Sequence, residues 1–132
     1  MFWVFVTRKK LHKDKYLLGK WGERQAEKHL KRKGYHTIAK NYSCKTGEID
    51  LVMTNTQKTV VFVEVKTRAD ESFVQIEGAI GSIKKQRLSR AVRYFVQHYN
   101  LSNRPLRIDF VFVLLGKGKK AVVKHYENAM TP

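Results

Sequence analysis

The chain has 132 residues, and its 42% hydrophobic content is enough to bury a core, which argues against a disordered protein. It carries 27 Lys and Arg against 11 Asp and Glu, a formal net charge of +16. This excess predicts a polyanionic partner, either nucleic acid or an anionic membrane surface. Because no window approaches the roughly 20 apolar residues of a membrane-spanning helix, we expect no membrane partner. The single cysteine, Cys44, argues against a disulfide framework and favours a reducing compartment, the cytoplasm.

The first 15 residues differ in character from the rest of the chain. An apolar run over 2–6 precedes a basic cluster over 8–10, which is the reverse of the order in a signal peptide. We predict either a variable extension or an extra edge strand over 1–15, and a single domain over 16–132. Residues 20–33 are good helix formers, and Gly34 follows where a C-terminal cap is expected.

The remaining segments predict an α/β domain with a mixed sheet flanked by helices. Residues 68–78 have no clear period and predict a loop, whereas 79–99 predicts a second helix from its apolar residues at i, i+3 and i+4 spacing. The predicted apolar stripe comprises Ile80, Ile83, Leu88, Ala91, Val92, Phe95, Val96 and Tyr99. The predicted strands are 35–42, 48–53, 59–67, 106–115 and 121–126. Because short turns join the first three strands, we expect these strands to pair antiparallel. Because a helix connects the third strand to the fourth, we expect these two strands to be parallel. A turn over 116–120 joins the last two strands.

Acidic residues on neighbouring predicted strands indicate a site that could bind a divalent cation. Side chains alternate along a strand, so Glu64 and Lys66 point the same way, and Asp50 on the preceding strand can lie beside Glu64. Two carboxylates at a sheet interior repel each other and lose water, a cost that a divalent cation removes. Carboxylate oxygens suit Mg²⁺ or Mn²⁺, and the backbone carbonyl of Val65 is a further candidate ligand. Lys66 could then activate water or neutralise developing phosphate charge; the alternative is an ordinary surface ion pair.

The strand that carries Asp50 supplies a second acid. Glu48 and Asp50 are expected to share one face, and Ile49, Leu51 and Met53 the opposite face. Because Glu48 lies near the solvent end of this strand, we predict that it supports the site from outside direct metal contact.

Short motifs are spread from residue 18 to residue 128. They are Gly22-Glu23-x-x-Ala26, Gly34-Tyr35, Gly47-Glu48-Ile49-Asp50-Leu51, Phe62-Val63-Glu64-Val65-Lys66-Thr67-Arg68 and Arg107-x-Asp109. The set resembles the YraN-like family of the PD-(D/E)xK nuclease superfamily, which includes restriction endonucleases and archaeal Holliday-junction resolvases. The resemblance implies a restriction-endonuclease-like α-β-β-β-α-β core and a nuclease role.

By position, the resemblance implies that Asp50, Glu64 and Lys66 form the catalytic core. It also implies that Glu23 corresponds to the acid of the first helix that often completes the metal site. From the residues alone, Glu23 could instead complement the positive end of a helix dipole. Lys84 falls inside the apolar stripe of the second helix. It either extends to solvent or reaches the catalytic face and contacts the scissile phosphate, as a lysine or glutamine does in related nucleases.

Basic residues on both helices, together with Arg68, are expected to contact nucleic acid. On the helices they are Lys85, Arg90 and Arg93 of the second and Lys31 and Arg32 at the end of the first. Asp109 interrupts an apolar strand, and we expect it to pair with Arg107 or to accept a buried hydrogen bond.

The predicted function is a Mg²⁺- or Mn²⁺-dependent endonuclease acting on DNA, with branched, damaged or single-stranded DNA as candidate substrates and a homodimer as an open possibility. The alternative is a non-catalytic nucleic-acid-binding module that keeps the nuclease fold. A role on RNA has less support, because no aromatic stacking motif of the RRM kind is visible.

Overall fold

The computed structural model describes residues 7–70, 81–116 and 120–132. In these ranges the chain forms three helices and five strands. The helices are α1 (Arg8–Lys13), α2 (Lys15–Arg32) and α3 (Ser82–His98). The strands are β1 (His36–Cys44), β2 (Gly47–Thr54), β3 (Val60–Arg68), β4 (Leu106–Leu114) and β5 (Val122–Met130). The apolar run over 2–6, most of the predicted loop over 68–78 and the middle of the predicted turn over 116–120 lie outside the described residues.

The strands form one sheet in the order β1-β2-β3-β4-β5. Strands β3 and β4 are parallel, and every other neighbouring pair is antiparallel. The predicted α/β fold with a mixed sheet is therefore confirmed, and it is consistent with a restriction-endonuclease-like core.

Strand β3 is buried on both faces and supports the centre of the molecule. Val60 and Phe62 pack against α3, whereas Val61 and Val63 pack against α2, and all four are fully buried. Burying a side chain of this size contributes about 1.5–3 kcal/mol. A strand covered on both sides has little freedom to move, so the residue that follows, Glu64, has a rigid support.

The N-terminal segment 8–13 forms a helix, so the edge-strand alternative is wrong for these residues. The Thr7 side chain caps α1 by accepting a hydrogen bond from the Lys10 N–H at 3.1 Å. Leu11 is buried against Leu18 and Leu115, which attaches α1 to the body of the domain. Helix α2 begins at Lys15, earlier than the sequence predicts, after the cap residue at position 14.

The predicted apolar stripe of α3 is confirmed in its central part and is wrong at Tyr99, whereas Ile80 and the side chain of Ile83 lie outside the described residues. Leu88, Ala91, Val92 and Phe95 are buried against the sheet. Tyr99 is 52% exposed, because the helix ends at His98 and the next residues leave the helical path. Among the helices in the described ranges, none has the length and apolar character needed to cross a membrane.

Candidate active site

A fork between β2 and β3 positions the two central acids. The two strands pair as far as Leu51 and Val63, and beyond this point β2 pairs only with β1, while β3 continues beside β4 to Arg68. Asp50 and Glu64 are the first residues past the last β2–β3 pair. The divergence of the strands therefore places both carboxyl groups at the opening of the fork.

The side chains of β2 stop alternating regularly between the two faces of the sheet at Asp50. Leu51 and Met53 pack on the α2 side of the sheet, but Ile49 packs on the α3 side. The prediction that these three residues share a face was wrong for Ile49, because the regular alternation of the strand breaks at Asp50. Asn41, which lies across from Asp50 on β1, has a left-handed φ of 52°, so the neighbouring strand is irregular at the same level.

Backbone and side-chain contacts fill the fork. The Val65 N–H donates to Asp50 Oδ2 at 2.7 Å, in place of a partner on β2. A strand residue presents its N–H and C=O on the same edge, so the Val65 carbonyl also faces the fork. The Glu64 side chain is 8% exposed and lies close enough to Asp50 for the charge of that carboxylate to act on it. Lys84 Nζ lies 3.3 Å from Glu64 Oε2, so Lys84 reaches the acids rather than extending only to solvent.

The environment of these four side chains shifts their pKa values. Burial, reinforced by the charge of Asp50, raises the pKa of Glu64 to about 8. Burial also raises the pKa of Asp50, against the hydrogen bond from Val65. Burial and the neighbouring Lys84 lower the pKa of Lys66 to about 8. Burial alone would lower the pKa of Lys84, but the charges of Glu64 and Asp50 and the hydrogen bonds to Glu64 and Lys66 together outweigh it and raise that pKa. Two acids that resist ionisation therefore lie beside a lysine that can lose its proton near neutral pH.

Two grooves meet at this fork. The first, of about 700 Å³, lies between α3 and the β1–β2 hairpin, and we call it the α3 groove. The second, of about 680 Å³, lies between α2 and the end of β3, and we call it the α2 groove. Val65 and Lys84 line both grooves, Asp50 and Glu64 line the first, and Lys66 lines the second. The two grooves thus border each other at Val65 and Lys84, and together we call them the cleft.

Glu23 lines the α2 groove but is not gathered with the two central acids. Its carboxylate lies 3.7 Å from Lys20 Nζ, and burial, followed by the charge of Asp50, raises the pKa of Glu23. The helix-dipole alternative is wrong, because α2 begins at Lys15 and Glu23 lies beyond its first turn. Over 7–70, 81–116 and 120–132, no group of three or more His, Cys, Asp or Glu side chains is close enough to hold a metal ion.

The other predicted residues are distributed around the cleft and away from it. Arg68 lines the α2 groove, and Glu48 is exposed at the rim of the α3 groove. The five helix residues predicted to bind nucleic acid are exposed but line neither groove: Lys85, Arg90, Arg93, Lys31 and Arg32. Lys31 pairs with Glu27 at 3.4 Å.

Sequence reasoning missed several basic residues of the cleft. Lys45 and Arg87 line the α3 groove, and His12 and Lys15 line the α2 groove. Arg87 follows Lys84 by one helical turn, a spacing that could have identified it. Lys45 lies in the β1–β2 hairpin, and its proximity to α3 is a tertiary contact that no local pattern reports.

Asp109 takes part in a buried network on the α2 side of the sheet and lines neither groove. It is fully buried, accepts from Arg107 Nε at 2.8 Å and lies 2.6 Å from His125 Nε2. The Asn128 N–H donates to it at 2.9 Å. Burial raises its pKa, but the hydrogen bonds from His125 and Arg107 outweigh that effect and lower it. The predicted pairing with Arg107 is confirmed, and the sequence missed His125.

Comparisons with known proteins agree on one family. The family described as "Uncharacterised protein family UPF0102" matches residues 22–113, a span that includes Asp50, Glu64 and Lys66. A UPF0102 protein of Alkaliphilus metalliredigens is 39% identical over 111 residues, which cover 84% of this chain and 94% of that protein. One from Caldicellulosiruptor saccharolyticus is 39% identical over 102 residues, 77% of this chain and 86% of that protein. A UPF0102 protein of Herpetosiphon aurantiacus is 32% identical over 118 residues, which cover 86% of this chain and 94% of that protein. The chain therefore belongs to the UPF0102 family, the YraN-like, PD-(D/E)xK nuclease-like family that its motifs resemble.

Proposed function

We propose that this protein is a nuclease that hydrolyses phosphodiester bonds of DNA with the help of a divalent cation. The observation that carries the proposal is the pair of adjacent carboxyl groups of Asp50 and Glu64, held at the fork of a rigid sheet beside Lys66 and Lys84. A protein gains no stability from burying two acids side by side, so a chemical role for the pair explains their position.

The donor set of the fork fits a hard divalent cation. Asp50 and Glu64 both have raised pKa values, so a cation between them would relieve the cost of ionising both. The Val65 carbonyl faces the same space and supplies a third oxygen. One or two carboxylates with water at the remaining positions is the usual coordination of Mg²⁺, and Mn²⁺ accepts the same ligands. When bound, the cation would stabilise negative charge that develops on the phosphate. Glu23 remains a predicted additional ligand.

Lys66 is suited to proton transfer in this reaction. Hydrolysis requires a water oxygen to bond to phosphorus, the bond from phosphorus to one sugar oxygen to break, a proton to leave the attacking water, and a proton from solvent to reach the departing sugar oxygen. Because burial and Lys84 lower the pKa of Lys66 to about 8, a fraction of Lys66 Nζ is neutral near neutral pH and can accept that proton. In its charged form, the same atom would instead neutralise the phosphate oxygens.

The charge distribution supports DNA as the substrate. The net charge is +16, and Lys45, Arg87, Lys15 and Arg68 line the two grooves on either side of the acids. Cationic side chains along a cleft attract the phosphates of a nucleic-acid strand and align the strand with the site. A substrate of this kind favours a cytoplasmic location.

A cleavage assay on a DNA panel tests the proposal. Supercoiled, single-stranded and four-way-junction DNA are incubated with enzyme in excess, in Mg²⁺, Mn²⁺ or EDTA. We expect cation-dependent cleavage of at least one substrate, reduced about 10²–10³-fold in Glu64→Ala and in Lys66→Ala, with DNA affinity in EDTA retained. The exposed acid Glu127, which lines neither groove, offers a matched control, and Glu127→Ala is expected to keep the activity.

The alternative function is a nucleic-acid-binding module without catalysis, and the basic excess is the observation that favours it. That function predicts salt-dependent DNA binding that is unchanged in Glu64→Ala and Lys66→Ala, with no cleavage of any substrate in either cation. Such a result would replace the nuclease proposal.

A further inference from the structure

Helix α3 carries basic and aromatic side chains along one exposed flank that begins at the cleft. At 3.6 residues per turn, positions 87, 90, 94 and 98 fall within an arc of about 80° and extend about 16 Å along the axis. We call this row the α3 stripe; its members are Arg87, Arg90, Tyr94 and His98. Arg87 lines the α3 groove together with Asp50, so the stripe is continuous with the candidate active site.

The aromatic end of the stripe is exposed and held in place. Tyr94 is 50% exposed, and its ring lies nearly parallel to that of His98, with 9° between the planes and 5.9 Å between the centroids. The His98 ring packs edge-on against Tyr99 at 4.7 Å, and Tyr99 contacts the buried Phe95 at 4.5 Å. These contacts order the rings while leaving aromatic surface of Tyr94 open to solvent.

The charge of the helix identifies the class of molecule that fits. Helix α3 contains five Lys or Arg residues and no Asp or Glu: the basic residues are Lys84, Lys85, Arg87, Arg90 and Arg93. Within the described ranges, no acidic side chain pairs with Arg87 or Arg90. A partner with regular negative charges and flat apolar faces complements both properties. Single-stranded nucleic acid has phosphates for the arginines and unpaired bases that stack on tyrosine and histidine, whereas a duplex encloses its base faces.

We propose that the α3 stripe binds a single-stranded segment of DNA that leads out of the cleft. Arg87 and Arg90 contact its phosphates, and Tyr94 and His98 stack on its unpaired bases. A length of about 16 Å matches roughly five nucleotides at the ~3.4 Å rise of a stacked strand. The inference deepens the proposed nuclease function, on which it rests for its substrate: it specifies DNA with an unpaired segment next to the bond to be cut.

The test measures binding without cleavage. Fluorescence anisotropy in EDTA, at one fixed salt concentration, compares a labelled single strand, a blunt duplex and a duplex with a single-stranded tail. Removing one base-stacking ring is worth roughly 1–3 kcal/mol, so Tyr94→Ala is expected to weaken binding of the single strand and the tailed duplex about 5- to 150-fold. Binding of the blunt duplex should change less than about twofold, and Tyr94→Phe should restore affinity because it keeps the ring.

Tyr16 provides a matched control, because it is a tyrosine on α2 that is 70% exposed and lies away from the stripe. Tyr16→Ala is expected to leave binding of all three DNAs unchanged. Equal weakening of all three DNAs by Tyr94→Ala, or no weakening of any, would overturn the inference. Unchanged DNA binding together with a shift of Tyr94→Ala from dimer to monomer in sedimentation would also overturn it, since the surface would then be a protein contact.

Two results separate this inference from the nuclease proposal. Tail-dependent binding that requires Tyr94, with no cleavage in either cation, would support the stripe and refute the nuclease. Cation-dependent cleavage with wild-type rates and affinities in Tyr94→Ala would refute the stripe and leave the nuclease in place.

Discussion

The buried acid Glu64 gives the domain a stability that depends on pH, and Glu64→Gln should remove that dependence. In the folded chain the pKa of Glu64 is about 8, against 4.5 for an ordinary glutamate. Because the pKa is raised on folding, this residue's contribution to stability is complete below pH 4.5 and is lost as the pH rises through about 8. Glutamine has nearly the same shape and no charge, so the variant should not lose stability over this interval.

The size of the effect follows from the shift. Between the two pKa values, stability falls by about 1.4 kcal/mol for each pH unit, which amounts to about 3 kcal/mol by pH 7. The attraction of Lys84 is already included in the pKa of about 8, so it is not counted a second time. We therefore expect Glu64→Gln, in EDTA, to be more stable than the wild type by about 3 kcal/mol at pH 7 and no more stable near pH 4.

Urea denaturation monitored by circular dichroism measures both proteins from pH 4 to pH 9. The comparison cancels the titration of those shared groups that do not interact with Glu64. A stability difference that does not grow with pH, or a wild type more stable than Glu64→Gln at pH 8, would show that the pKa of Glu64 is not raised on folding.

Two further predictions concern the support of the site. A Cβ at Gly22 would lie 1.8 Å from the Thr67 hydroxyl oxygen, so Gly22→Ala should lower the free energy of unfolding by about 1–3 kcal/mol in urea denaturation. Gly19→Ala, on the same helix with no neighbour within 4 Å, should instead raise it by about 0.5–1 kcal/mol; equal effects would contradict the close packing of α2 on β3. Asp109→Ala removes the buried acceptor that Arg107, His125 and the Asn128 N–H share, and it should cost about 3–5 kcal/mol, with cleavage per folded molecule unchanged. Loss of cleavage at full stability would instead give Asp109 a chemical role.

The order of the elements after the first 15 residues could be predicted because local patterns determine it. The β-branched run before Glu64 indicates a buried strand, and the spacing of Leu88, Ala91 and Phe95 indicates an amphipathic helix. The start of α2 was predicted too late, because the cap at Asp14, which accepts from the Leu17 N–H at 3.1 Å, lies in a segment with mixed composition.

The candidate site could be predicted in part. The proximity of Asp50 and Glu64 follows from strand alternation and a hairpin, but the fork between the strands does not, because pairing ends where tertiary packing separates β2 from β3. Lys84 could be placed near the catalytic face only as one of two alternatives, since its long side chain allows both. The approach of Arg87 to the hairpin depends on how α3 docks on the sheet, which no local pattern reports.

Nicking of a supercoiled plasmid by enzyme in excess tests whether Asp50 and Glu64 form a cation-dependent catalytic site. We expect the wild type to convert the plasmid in Mn²⁺ or Mg²⁺ but not in EDTA, and we expect Glu64→Ala, purified in the same way, to be slower by about 10²–10³-fold. Absence of nicking in both cations, or nicking at the same rate in Glu64→Ala, would show that these two acids do not form such a site.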